Sequence, residues 1–114
     1  MPISRVDLLQ GTLDVLILKA LSWGPHHGHA VARVIRDSTD GAFDILDGSL
    51  YAALHRMEER GWVEAEWSLS DKGKRAKFYR LTTAGRAQLR AETTTWKQYA
   101  NAVSKLLNAT TQPA

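Results

Sequence analysis

Four cations lie close together in the second half of the chain: Lys72, Lys74, Arg75 and Lys77, which we call the basic cluster. Lysine and arginine side chains neutralise phosphate groups and release the counterions bound to them. A solvated turn often carries the same charges, so the cluster alone leaves both a phosphate-binding and a purely structural interpretation open.

A second group of polar side chains falls on one side of a predicted helix from Asp47, placed to cap it, to about Arg60. The side predicted to be buried carries Leu50, Ala53, Leu54 and Met57, and the other carries Ser49, Tyr51, His55 and Arg56. Hydroxyl groups bind phosphate oxygens, whereas an arginine can reach guanine O6 and N7. Arg56 can instead form an ion pair with Glu58 or Glu59 on the helix surface.

Three histidines, His26, His27 and His29, follow Pro25. Neighbouring histidines on a turn do not converge on one ion, so we expect His27 to cap or hydrogen-bond the next helix rather than bind a metal. The chain has no cysteine, which excludes disulfides and thiolate sites. Because glycine-rich phosphate loops and nucleophile motifs are missing as well, we expect no enzyme activity, metal or cofactor.

The remaining sequence supplies the elements that position these groups. Helical spacing predicts a first helix over 7–23, apolar on more than one side, and a second over 29–37. Strands are predicted over 62–69 and 76–82, joined by a turn with the basic cluster. A last helix begins at Thr82 or Thr83 and runs to about Asn108.

Three helices, a hairpin and a long last helix, in that order, form the plan of a winged helix-turn-helix protein. We therefore predict a mostly helical α+β fold, with a DNA-binding domain over 1–82 and a dimerisation helix with a frayed tail over 83–114. In this plan the third helix enters the major groove of duplex DNA and the hairpin contacts the flanking backbone. Ser49, Tyr51, His55, Arg56 and the basic cluster are the predicted DNA contacts.

The last helix carries an apolar seam that the monomer does not cover. Leu89, Trp96 and Val103 are seven residues apart, and apolar residues fill the turns between them. Together with the first helix this seam predicts a homodimer, whose interface would contain Leu9, Leu13, Leu16, Leu18, Leu89, Trp96, Val103 and Leu107. Its DNA site is expected to be a pseudo-palindromic operator, since protein symmetry is mirrored in the half-sites.

Length and composition agree with a small globular protein. The 114 residues are 44% hydrophobic and 24% charged, with a formal net charge of +3. The positive charge is concentrated after residue 60, where the chain has nine lysines and arginines but four aspartates and glutamates. No apolar run is long enough to span a membrane and no leader is recognisable, so we expect a cytoplasmic protein.

Several motifs, in order, resemble PadR-like transcriptional regulators over residues 8–92. They are Leu9-Gln10-Gly11-Thr12-Leu13, Ile17-Leu18-Lys19-Ala20-Leu21, Gly24-Pro25, His27-Gly28, Gly48-Ser49-Leu50-Tyr51, Leu54-His55-Arg56-Met57-Glu58-Glu59-Arg60-Gly61 and Tyr79-Arg80-Leu81-Thr82-Thr83-Ala84-Gly85. Two positions depart from the pattern: Ala52 stands where proline is frequent, and His29 where an aromatic residue is usual. The short last helix is similar to that of the smaller members.

The resemblance implies a repressor that dimerises through its first and last helices and releases DNA when a small molecule or another signal shifts the spacing of its two DNA-reading heads. It also gives Trp96 two possible roles. Trp96 anchors the seam, or it faces its symmetry mate so that the two rings hold a planar aromatic effector, with Tyr99 beside them. An alternative function is a winged helix that binds another protein without specific DNA binding, which the acidic Glu58 and Glu59 would favour.

Overall fold

The computed structural model describes residues 11–114 and contains the predicted three helices, hairpin and long last helix. The elements are α1 (Thr12–Leu21), β1 (His26–His27), α2 (Gly28–Ser38), α3 (Asp47–Glu59), β2 (Val63–Leu69), β3 (Arg75–Leu81) and α4 (Thr83–Leu107). Gly11 precedes α1 with a φ of 85°, a left-handed conformation that suits glycine. The predicted beginning of the first helix at Asp7 lies outside the described residues.

The sheet is antiparallel, with strand order β1-β3-β2. In the hairpin, Val63 faces Leu81 at the base and Leu69 faces Arg75 near the tip. On the other edge of β3, His26 faces Tyr79 and His27 faces Phe78. The sequence predicts a turn for these two histidines, because a strand of two residues shows no alternation of apolar and polar residues.

The core lies where α1, α2 and α3 pack against the base of the hairpin. Its largest fully buried side chains are Ile17, Leu18, Leu21, Val31, Leu50, Leu54, Met57 and Val63. The predicted buried side of α3 is confirmed, since all four of its residues belong to this core. The opposite side of α3 is thereby directed outward.

The helix ends agree with the prediction at α4 and differ at α3. Thr82 Oγ1 accepts a hydrogen bond from the Gly85 N–H at 3.0 Å, as expected of a cap. Leu46, which makes no side-chain cap, takes the N-cap position of α3, and Asp47 lies in the first turn. The predicted cap by Asp47 is therefore wrong by one position, although its charge still favours the helix N-terminus.

The last helix, α4, extends well beyond the core. Its 25 residues correspond to a length of about 37 Å, and Gly85, near its beginning, is buried. Among the described residues, no helix is both long and apolar enough to cross a membrane.

Candidate nucleic-acid interface

The outward side of α3 presents small and polar groups. Ser49, Ala52 and His55 follow one another along this side and are exposed. His55 Nε2 lies 2.8 Å from Glu59 Oε1, one helical turn later. This contact holds the imidazole beside the Glu59 carboxylate at the end of the outer side of α3.

Tyr51 lies at the edge of that side, against the beginning of α2. Its ring occupies the space that a side chain at Gly28 would need, because a Cβ there would overlap the Tyr51 ring. The ring edge also approaches His29, with 6.4 Å between ring centroids. Burial, and then the charge of Asp47, raise the pKa of Tyr51 above its ordinary value. The phenol therefore stays protonated at neutral pH and can donate a hydrogen bond to an acceptor.

Arg56 forms an ion pair that the sequence analysis did not anticipate. Its guanidinium binds the largely buried carboxylate of Asp14 on α1. The two surface partners considered for it, Glu58 and Glu59, are occupied by Lys77 and His55. Arg56 therefore joins α3 to α1, and its guanidinium is directed toward α1 rather than free on the outer side.

The basic cluster divides into a free tip and a bound base. Lys72 and Lys74 are exposed in the turn, where Gly73 takes a φ of 74°. The Arg75 guanidinium lies 5.1 Å from the centre of the exposed Trp67 ring across the hairpin. Lys77 Nζ lies 3.3 Å from Glu58 Oε1, so this cation fastens the hairpin to α3. Three of the four cations are thus presented at the tip.

A cleft of about 1040 Å³ separates the hairpin from α2 and the beginning of α3. The basic cluster and Trp67 line one wall, and Tyr51, His29 and Arg33 line the other. Neither Arg33 nor Trp67 is among the DNA contacts predicted from the sequence. The helical spacing of His29 and Arg33 would have placed them on one side of α2, but no local signal placed that side opposite the hairpin.

His27 connects the floor of this cleft to the sheet. Its Nδ1 accepts a hydrogen bond from the Ala30 N–H at 3.2 Å, which confirms the predicted capping role. Burial is the main cause that lowers the pKa of His27, followed by the nearby charges of Arg33, His29 and His26. Among the described residues, no group of three or more histidines and acids could hold a metal ion.

A second pocket, of about 430 Å³, lies between the beginning of α1 and the middle of α4. The rings of Trp96 and Tyr99 stack within it, with centroids 5.9 Å apart and planes inclined by 22°. Glu92 also lines this pocket, and its buried Oε2 has no hydrogen-bond partner among residues 11–114. The two predicted effector-binding residues are therefore together, beside a carboxylate that the sequence analysis did not select.

The predicted dimer-interface residues fall into three groups. Trp96, Val103 and Leu107 are exposed on α4, whereas Leu13, Leu16 and Leu89 are partly buried against the core. Leu18 is 0% exposed inside the monomer core, so its assignment to the interface is wrong. The sequence could not separate the two cases, because α1 is apolar on several sides. Leu9 lies outside the described residues.

Comparisons with known proteins give this arrangement a family. A family model described as the transcriptional regulator PadR-like family matches residues 17–91. An uncharacterised protein of Lysinibacillus sphaericus is 34% identical over 95 residues, which cover 82% of this chain and 86% of that protein.

Solved structures of transcriptional regulators share the fold. One from Clostridium thermocellum is 25% identical, with a TM-score of 0.79, and the match covers 90% of this chain and 97% of that one. A PadR family regulator from Eggerthella lenta is 31% identical, with a TM-score of 0.72, over 88% of this chain and 85% of that one. The chain belongs to the PadR-like family of transcriptional regulators, a family that acts through DNA binding.

Proposed function

We propose that this protein is a homodimeric repressor that binds a pseudo-palindromic operator and is released from it by a small aromatic molecule. Two copies related by a two-fold axis would present two α3 helices to half-sites about one helical turn (~10 bp), or a multiple of that, apart. A regulator that binds chromosomal DNA acts where the chromosome lies, so the proposed location is the cytoplasm.

The observation that carries this proposal is the position of the free cations relative to α3. Lys72, Lys74 and Arg75 lie at the tip of a hairpin whose cleft is also lined by Tyr51, at the edge of the outer side of α3. Ser49 and Tyr51 offer hydroxyl groups to phosphate oxygens, and His55 is exposed farther along the helix. DNA that receives α3 in its major groove therefore meets cations at the flanking backbone.

Two of the predicted DNA contacts have a different role in this proposal. Arg56 binds Asp14 and Lys77 binds Glu58, so both are positioning residues that hold α3 against α1 and the hairpin. Base recognition then depends on His55 and the short Ala52 on the outer side of α3. The small side chain of Ala52 allows close approach to the groove edge, including apolar contact with a thymine methyl group.

The pocket between α1 and α4 supports the effector part of the proposal. Stacked Trp96 and Tyr99 rings offer a planar apolar surface, which suits an aromatic ligand. The Glu92 Oε2 atom supplies an acceptor, so the preferred ligand carries a hydrogen-bond donor or a positive charge. Because α1 lines this pocket and also binds α3 through Asp14, a ligand there could change the position of α3.

The alternative, a protein-interaction module, rests on the acidic residues of α3. Glu58 is neutralised by its ion pair with Lys77, which leaves Glu59, in contact with His55, as a single exposed carboxylate rather than part of an acidic surface. The exposed cations at the hairpin tip favour a polyanion as the partner. DNA binding is the function that the geometry supports better.

The first experiment titrates the protein against a labelled duplex from upstream of its own coding region, at several salt concentrations, with random duplex as the comparison. We expect preference for the upstream duplex and an affinity that falls steeply with salt. Lys74→Ala should weaken binding to both duplexes and reduce the log–log salt slope by about 0.9 for each phosphate that the variant no longer neutralises. The matched control is Lys105→Ala, which removes the same charge from α4.

The outcomes separate the proposals. Equal binding of both duplexes, or a protein that binds neither, would favour the protein-interaction function. If Lys74→Ala binds the upstream duplex specifically and its salt slope is unchanged, the hairpin tip does not contact DNA, but the proposed regulator function stands.

The effector proposal has its own test. Calorimetric titration with 1-naphthylmethylamine, a planar aromatic cation, should show binding that Trp96→Ala abolishes and that Trp23→Ala, at an exposed tryptophan elsewhere, leaves intact. By linkage, operator DNA should lower the affinity for this amine by the factor by which the amine lowers operator affinity. Equal binding by both variants would contradict the assigned pocket.

A further inference from the structure

The part of the cleft wall that α2 forms, opposite the hairpin, has no role in the function proposed so far. His29 and Arg33 lie one helical turn apart on α2, both exposed and both lining this wall. Arg33 forms no ion pair among the described residues, although Arg36 on the same helix is paired with Asp37 at 3.5 Å. A guanidinium and an imidazole therefore face the basic cluster across open space.

The cleft has an excess of positive charge even when the ion pair of Lys77 with Glu58 is taken into account. Four cations of its lining form no ion pair among the described residues, against the two carboxylates of Asp37 and Asp71; they are Arg33, Lys72, Lys74 and Arg75. Like charges on facing walls repel one another, so this arrangement favours an anion between them. The cleft is open and holds about 1040 Å³, which suits a chain of phosphates better than a single small ion.

The proposed DNA-binding mode brings such a chain into the cleft. With α3 in the major groove and the hairpin at the flanking backbone, the sugar–phosphate strand that separates the two grooves passes between α3 and the hairpin. Tyr51 stands at the α3 side of this passage, and its ring edge approaches His29. The α2 wall is thus adjacent to a residue already placed on the DNA.

We propose that His29 and Arg33 bind backbone phosphates of the operator across the cleft from the basic cluster, and that His29 does so in its protonated form. This inference rests on the proposed DNA-binding function and extends its footprint from α3 and the hairpin to α2. The ligand is the phosphodiester backbone, so these contacts strengthen binding to every DNA sequence alike.

Under this proposal, His29 takes up a proton when the protein binds DNA. An imidazole changes charge between pH 5 and 8, and a phosphate beside it favours the charged form. The groups that face His29 are His26, His27, Arg33, Asp37, Tyr51, Asp71 and the basic cluster. A phosphate bound between these groups would bring the negative charge that favours the protonated imidazole. Operator affinity should therefore rise as the pH falls from 8 to 6.

The test compares Arg33→Ala, Arg90→Ala and His29→Gln with the unchanged protein, using duplex DNA anisotropy at several salt concentrations and pH values. Arg90→Ala is the matched control, since it removes the same charge from an exposed position on α4 that lines neither pocket. Arg36 is unsuitable as a control, because its loss would leave Asp37 of the cleft without its ion-pair partner. Arg33→Ala should weaken binding to operator and random duplex equally, by about tenfold per contact at 0.1 M salt. It should lower the log–log salt slope by about 1.8 in a dimer, which has two such contacts.

His29→Gln should flatten the dependence of log Kd on pH while circular dichroism shows an intact fold. The proposal is overturned if Arg33→Ala behaves like Arg90→Ala, or if His29→Gln keeps the pH dependence of the unchanged protein. In both of those cases salt-dependent DNA binding persists and the proposed function stands. Failure of the unchanged protein to bind DNA would overturn the proposed function together with this inference.

Discussion

At the scale of single residues, ion pairs decide which charges of this protein are available to a partner. Arg56 and Lys77 are held by Asp14 and Glu58, whereas the cations at the hairpin tip are exposed. The first two fix the orientation of α3, and the others can exchange counterions for phosphates. In the proposed DNA-binding mode, residues of the same chemical type therefore divide into positioning and binding roles.

The ion pair of Asp14 and Arg56 should contribute to stability far more than an exposed pair does. Asp14→Asn gives the Arg56 guanidinium a neutral carboxamide in place of its carboxylate partner. We therefore expect the free energy of unfolding to fall by about 1–2 kcal/mol in denaturant titrations. Glu59→Gln, which breaks the exposed pair with His55, should cost less than about 0.5 kcal/mol. Equal losses in the two variants would show that the burial of Asp14 does not strengthen its ion pair.

His27 should make the stability of the fold depend on pH. Its Nδ1 must be unprotonated to accept the Ala30 N–H, and burial lowers its pKa below the ordinary value of about 6.5. The unfolded chain then binds the proton more readily, so this contribution is present above about pH 6.5 and is lost as the pH falls below it. In thermal unfolding from pH 8 to 5, His27→Asn, whose side chain can still cap the helix, should show a smaller loss than the unchanged protein. Identical pH profiles would contradict this role.

At the scale of elements, close backbone contact at one glycine fixes the direction of α4. A Cβ at Gly85 would overlap the carbonyl oxygen of Trp62. The same oxygen accepts a hydrogen bond from the Thr82 N–H at 3.1 Å. The beginning of α4 is therefore held directly against the turn that follows α3. The direction in which α4 leaves the domain depends on this contact.

Gly85→Ala should accordingly destabilise the domain, although alanine is the better helix former. We expect a loss of about 1–3 kcal/mol in the free energy of unfolding, because backbone rather than a flexible side chain must move. Gly48→Ala is the control within α3, where the added Cβ meets nothing within 4 Å. That change should be neutral or stabilise the protein by up to about 1 kcal/mol. A neutral Gly85→Ala would show that α4 is free to shift.

Sequence patterns predict the elements because their signals are local. The spacing of the apolar residues of α3, the cap at Thr82 and the turn at Gly73 all act within a few residues. The contacts between Arg56 and Asp14 and between Arg33 and the cleft join distant segments, and periodicity carries no information about them. For the same reason periodicity does not distinguish Leu18, which packs in the core, from a residue of a dimer interface.

At the scale of the whole molecule, the single chain is more extended than a compact chain of the same length. Its radius of gyration is 16.3 Å, whereas a compact chain of this length has about 13 Å. The excess comes from α4, whose outer half exposes large apolar side chains, with Leu106 76% and Leu107 77% exposed. A second copy of the same helix is the occupant that the heptad spacing favours, and it would place two DNA-binding surfaces on one molecule.

Disrupting this seam should therefore weaken DNA binding without changing any DNA contact. Val103→Glu places a charge in the middle of the proposed interface, so light scattering should show a shift from dimer toward the single-chain mass of 12.7 kDa. Operator affinity should fall by about 10²–10⁴-fold, because the second half-site is then no longer bound at high effective concentration. Asn101→Glu, which adds the same charge on the outer side of α4, should leave both properties unchanged. If Val103→Glu remains dimeric and binds normally, the two copies associate through another surface, and α4 does not set the spacing of the two α3 helices.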